Sequence, residues 1–200
     1  MKRWAIALVL VSGWVTACGS RADSHAGSVS GTFAGSAVAV SDTTAFTGTA
    51  GNSAYLGEVL ASVANVCSLL QQRAAKANVS GLSLLIQNVG VDAAPAAIAP
   101  GAYSITHGAP AKDTNGNMLV VSASYNALDA SCRPTYGSTT SDASAGTINI
   151  DSVSPNVSGS FDLTFPNGDH LSGSFASEVC DAPGPTPMNT AAAAPPVCQP

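Results

Sequence analysis

The sequence predicts a mainly β domain: a single antiparallel β-sandwich or β-barrel of about eight strands, with one short helix near residues 63–76. Three observations carry that prediction. Apolar residues alternate with small polar ones through several runs, the period of a strand with one buried face. Only 10% of the 200 residues are charged against 46% hydrophobic, which excludes a coiled coil built on Glu, Lys and Arg. An Asn-Gly pair also stands between two alternating runs, the local mark of a hairpin.

Residues 30–40 alternate small and apolar side chains and read as a strand. Residues 52–63, with Tyr55, Leu56, Val59 and Leu60, fit either a strand or the start of a helix. Residues 63–76 have the strongest helical character: Val66, Leu69 and Leu70 recur at helical spacing among good helix formers. Residues 80–89, 101–107, 117–128 and 147–153 read as further strands. The Ala/Pro-rich stretch 93–100 and the polar stretch 137–145 read as connections. Near the C-terminus Val157, Gly159, Phe161, Leu163 and Phe165 alternate with polar residues. Pro166-Asn167-Gly168-Asp169 follows, and then Leu171, Gly173 and Phe175 alternate in turn. This is a hairpin, and Asn167-Gly168 is expected to supply the positive φ angles of a tight turn.

A short theme recurs as VSGTF at 29–33, VSGSF at 157–161 and LSGSF at 171–175. Glycine inside a strand marks a bulge, a bend or a close backbone approach. The alternative is chance repetition in a chain rich in Ser and Gly. The spacing is irregular, so the chain is no solenoid. With 6% aromatic residues, a core of Val, Leu, Ile and Ala is expected. From residue 183 the chain turns to Pro and Ala without periodicity and reads as a loose tail. The body, residues 30–182, suits one ordinary core.

The first residues carry an address. Lys2 and Arg3 form a basic start, and residues 4–15 an apolar run too short to span a membrane. Val15-Thr16-Ala17-Cys18 follows. This leader resembles that of bacterial lipoproteins, with a branched apolar residue three before the Cys, small residues after it, and then the Cys. The resemblance covers residues 1–18. It implies cleavage before Cys18, with residues 1–17 as signal peptide, Cys18 as the lipidation site (palmitate or similar acyl chains) and residues 18–29 as a flexible tether. Gly19 and Ser20 follow where inner-membrane lipoproteins often carry Asp, so the resemblance implies the outer membrane, with membrane lipid as partner through acylated Cys18. After cleavage five basic residues remain against twelve acidic ones, a formal charge near −7. A basic patch for nucleic acid is therefore not expected.

The other cysteines, Cys67, Cys132, Cys180 and Cys198, are even in number and fit disulfides in an oxidising compartment. Four cysteines allow three connectivities, which spacing does not decide. The expected pairing is Cys67–Cys132 with Cys180–Cys198, the latter pinning the tail. The alternative leaves Cys198 free or bridging two chains.

Catalytic constellations are sparse. His25 lies in the tether and reads as solvated. His107 ends a strand. His170 follows the hairpin turn near Asp169 and Asp162, and reads as a surface residue rather than part of a Ser-His-Asp triad, since no G-x-S-x-G elbow occurs. Glu58 and Glu178 are the only glutamates and would serve as an acid/base pair only if folded together. Both tryptophans, Trp4 and Trp14, fall in the leader, so sugar-stacking platforms are scarce. Asp113, Asn115 and Asn117 faintly follow a calcium loop, but position twelve is Ser124, and a polar β-turn is the better reading. No catalytic residue, metal site or cofactor is expected. The chain resembles, in layout, the small β-rich lipoproteins of Gram-negative bacteria. The expectation is a non-enzymatic envelope protein with a structural or interaction role, its partner an envelope protein. The alternatives are a carrier of a small apolar ligand inside a β-barrel and, disfavoured, a secreted hydrolase.

Overall fold

The computed structural model describes residues 26–91, 94–106, 110–181 and 197–199. Cys18, His25, His107, the leader and residues 182–196 of the tail lie outside them. The strands are β1 (Ala26–Phe33), β2 (Ser36–Ala37), β3 (Asp42–Ala50), β4 (Ser53–Ala61), β5 (Ala74–Lys76), β6 (Ser80–Val89), β7 (Gly101–Ser104), β8 (Ala111–Lys112), β9 (Met118–Ala127), β10 (Ala145–Ser152), β11 (Asn156–Thr164), β12 (His170–Glu178) and β13 (Val197–Gln199). Two short helices, α1 (Val66–Gln71) and α2 (Ser138–Ser141), interrupt them.

The strands form an antiparallel sandwich. One sheet has the order β2-β1-β12-β11-β10-β7 and the other β3-β4-β6-β9-β8. The sheets cross rather than run side by side. Along β3, Thr43 lies against Gly27 of β1, Ala45 pairs with Val179 just past β12, and Thr47 shares a pocket with Val153 just past β10. At the opposite side the chain passes from sheet to sheet within two residues. Ile105 donates to Gly146 and Thr106 to Val121, while Ala143 donates to Ala123 and Ser144 to Thr164. The sheets do not close into a barrel. The expected count of eight strands is exceeded because β2, β5, β8 and β13 are short pieces, and because β3 was not read from the sequence.

The inner faces bury Leu56, Leu60, Leu82, Leu84 and Ile86 from one sheet against Ile148, Ile150, Val157, Leu163 and Leu171 from the other. The expected all-aliphatic core is corrected: Phe33, Phe161, Phe165, Phe175 and Tyr125 are buried too. Phe33 stacks on Tyr125 at 4.3 Å and meets Phe165 edge-on at 5.0 Å. The aromatics are few, but the pattern places most of them at inward positions, where large rings contribute most buried area.

The recurring Ser-Gly-Ser-Phe theme has a geometric cause. In the β11–β12 register Gly159 opposes Phe175 and Phe161 opposes Gly173. A Cβ on either glycine would stand 2.7 Å from the opposing ring. Each ring therefore lies over the glycine across from it, covering backbone that has no side chain of its own. Phe46 over Gly57 repeats the device between β3 and β4.

Several local expectations change. The helix expected over 63–76 is six residues long. Asn65 before it takes a left-handed φ of 63° and Arg73 after it a φ of 51°, so both ends are set by backbone turns. The next three residues form β5, which pairs in parallel with β13. A helix this short has little stability alone, and tertiary contacts override its propensity. The hairpin turn also differs in type. Gly168 donates to Phe165 and Phe165 to Asp169, and of the pair Asn167-Gly168 only Gly168 has positive φ, 87°. Pro166 fixes the second turn position near φ −65°, which favours a type I turn followed by a left-handed glycine. Regular structure begins at Ala26, inside the stretch expected as tether, and Val197–Gln199 of the expected loose tail is a strand.

The disulfides are Cys67–Cys180 and Cys132–Cys198, with Cα separations of 5.6 and 5.7 Å. The expected Cys67–Cys132 and Cys180–Cys198 pairing is thereby corrected. The reason is spatial. The end of β12 runs under α1, where Gln71 Nε2 donates to Asp181 O at 3.2 Å. β13 returns beside β5, close to the turn that carries Cys132.

Candidate functional site

Outside the five-stranded sheet, α1 and β5 lean over the outer face of β4, β6 and β9. They leave an apolar groove of about 310 Å³. Val59 comes from β4, Val63 from the link into α1, Val66, Leu69 and Leu70 from α1, and Val79 from just before β6. The local sequence explains the arrangement. Strand alternation sends Leu56, Glu58 and Leu60 inward and Val59 outward. The two leucines of α1 turn towards that outward face because Cys67, two residues before Leu69, is tied to Cys180. Asp42 at the start of β3 holds α1 from the other end: its Oδ2 accepts the N–H of Val66 at 2.8 Å. Asn65 makes no side-chain cap bond, so a remote carboxylate does the work of the N-cap. A second apolar pocket, of about 280 Å³, opens between the sheets where Thr47, Ala54 and Leu56 face Ile98 and Val153.

The titratable candidates do not gather at either place. His170 Nε2 meets Asp162 Oδ1 at 2.9 Å on the outer face of the six-stranded sheet, with side chains 52% and 68% exposed. Asp169 is engaged elsewhere. Its Oδ2 accepts the N–H of Ala34 at 2.6 Å and the amide of Asn167. Glu58 and Glu178 are kept apart by strand parity. Ser177 faces inward and donates to Glu58 Oε1 at 2.5 Å, while its neighbour Glu178 is exposed on the other face.

Glu58 is fully buried between Leu56 and Leu60, and its Oε2 has no hydrogen-bond partner. Burial pushes its carboxyl well above the ordinary glutamate range, against a smaller downward pull from the Ser177 hydroxyl. This role in the core was not expected from the sequence. The signal was present: Glu58 shares the inward parity of Leu56 and Leu60 in an otherwise apolar run.

The Asp113 turn is the polar turn expected. Asp113 Oδ1 accepts the N–H groups of Asn115 and Asn117 at 2.8 and 2.9 Å, and Oδ2 accepts the side-chain amides of Asn88 and Asn117. These bonds, that of Asn88 first, hold its carboxyl below the usual range. Ser124 instead bonds Asp142 at 2.6 Å. Among the described residues no group of three or more His, Cys, Asp or Glu side chains is placed to hold a metal ion. Among them, too, no helix is long and apolar enough to cross a membrane. No protein-family model, curated protein or solved structure matches the chain.

Proposed function

We propose that the chain is an exported lipoprotein of the cell envelope, held at the outer membrane by lipid on Cys18 and acting without catalysis as a structural or interaction module. The observation that carries this reading is the cysteine chemistry. All four cysteines beyond Cys18 stand in two disulfides, a state that persists in oxidising compartments. The basic start, the apolar run and Val15-Thr16-Ala17-Cys18 support the anchor. The scatter of ionisable groups supports a non-catalytic role: Glu58 is sealed in the core, and the His170–Asp162 pair faces solvent.

A second reading, a carrier of a small apolar ligand, is favoured by the groove under α1. It would act from the outside of a sheet and not from a barrel interior, because the two sheets do not close into a barrel. The test of the main reading is the intact mass and membrane partition of the protein from its native envelope. A chain beginning at Cys18, heavier by acyl groups and lost from membranes on Cys18→Ala, is expected. An unacylated chain cleaved elsewhere and released in soluble form would overturn it.

A further inference from the structure

We propose that the groove beneath α1 houses one acyl chain of the lipid carried on Cys18. The inference rests on the anchor reading and names what that lipid does on the folded domain.

The first argument is the chemistry of the walls. Val59, Val63, Val66, Leu69, Leu70 and Val79 present aliphatic carbon, with Lys76, Ser83 and Asn126 among the polar members of the lining and without an aromatic plane or a convergent set of charges. Such a lining selects a flexible alkyl chain over a sugar, a nucleotide or a planar ring. The volume, about 310 Å³, stands at the lower end of small-ligand pockets, roughly 300–1,000 Å³. That leaves room for one chain and not for a whole lipid.

The second argument is where the polypeptide enters the fold. β1 begins at Ala26, and Gly27 lies against Thr43 and Leu60. Asp42, next to Thr43, holds the N–H of Val66, and Val66 lines the groove. The chain therefore comes in at the corner that α1 occupies. Residues 19–25 alone separate Cys18 from Ala26. Fully extended, that stretch reaches about 26–29 Å, against a sheet-to-sheet spacing of about 10 Å. That reach is enough to carry the lipid past the sheet edge to the groove on the outer face.

The third argument is the frame. Cys67–Cys180 fastens α1 to the end of β12, and Cys132–Cys198 fastens β13 beside β5. The walls are tied from both sides, so the groove is formed before a chain arrives and no folding cost falls on binding. An acyl chain seated there is withdrawn from the bilayer. The domain is then drawn down against the membrane with α1 at the contact.

The test labels the lipid itself. Cells producing the full chain are fed a fatty acid bearing a photoreactive diazirine, and the protein is irradiated in its native membranes and mapped by mass spectrometry. The expected result is cross-linking from the lipid of Cys18 to peptides covering residues 59–83. That yield should fall about tenfold or more in Leu69→Trp, where a bulky ring fills the site. Ser83→Trp, at the groove floor, serves as an independent second variant, and a non-reducing peptide map verifies that each variant keeps both disulfides. Acylated protein whose cross-links fall elsewhere, or are unchanged in both variants, overturns the groove assignment while leaving the anchor standing. Protein that carries no label on Cys18 overturns the anchor, and the groove assignment with it.

Discussion

Glu58→Gln should stabilise the domain at neutral pH and leave it nearly unchanged near pH 4. Glu58 points into the core between Leu56 and Leu60, and its cross-strand neighbours are Ala45 and Leu84. Ser177 Oγ donates to one carboxyl oxygen, and the other is buried without a partner. The facing residues Ala45, Leu84 and Ser177 carry no charge, so ionisation would strand an anion in apolar surroundings. The folded state therefore keeps a proton that the unfolded chain releases once pH passes the ordinary glutamate range. The group's contribution is fully present below that range and is lost as pH rises towards the raised folded value. While the folded carboxyl stays neutral, each pH unit withdraws about 1.4 kcal/mol. Each such unit is a sizeable part of the roughly 5–15 kcal/mol that holds a domain together. Gln keeps the size of the side chain and an oxygen to accept from Ser177, but releases no proton. Urea unfolding at several pH values, followed by circular dichroism, should give a sloping wild-type profile and a flatter one for the variant. Parallel profiles would refute the reasoning, because they would mean that the carboxyl titrates alike in the folded and the unfolded chain.

Three further outcomes follow from the same packing. Gly173→Ala places a Cβ 1.9 Å from the Ser28 carbonyl oxygen and 2.7 Å from the Phe161 ring, so backbone and ring must both shift. A loss of about 1–3 kcal/mol or more is expected in urea unfolding, while Ser174→Ala on the exposed face should stay within about 0.5 kcal/mol. A non-reducing peptide map should recover Cys67 linked to Cys180 and Cys132 linked to Cys198; recovery of a Cys67–Cys132 peptide would contradict the placement of α1 on β12. Removing Cys67 and Cys180 together should cost about 2–5 kcal/mol, since that bond closes a loop of 113 residues.

Much of the β architecture was legible because strand alternation is written in adjacent residues. The expected strand 80–89 coincides with β6, and the 157–175 hairpin with β11 and β12. Ends and short pieces were less legible. β3 (Asp42–Ala50) carries Thr at most of its alternate positions, so its alternation is weak, and its strand identity comes from lying beside β4 along its whole length. The helix over 63–76 had the right residues, but left-handed turns at Asn65 and Arg73 cut it to one and a half turns. Neither residue type announces such a turn by itself. The candidate site was the least legible part. Leu69 and Leu70 showed helical spacing, yet only the fold reveals that they overhang Val59 of another element.

By itself the sequence determined the fold class, most strand positions, the place of the hairpin and the four cysteines available for pairing. Each of these depends on neighbours along the chain. It also carried the leader and Cys18, on which the anchor proposal rests. The tertiary structure alone decided which cysteines meet, that the sheets cross and stay open, that Glu58 loses its water, and that a groove forms outside the second sheet. Those outcomes depend on distances between residues far apart in the chain. Strand order sets such distances, and chain entropy makes many strand orders compatible with one pattern of alternation.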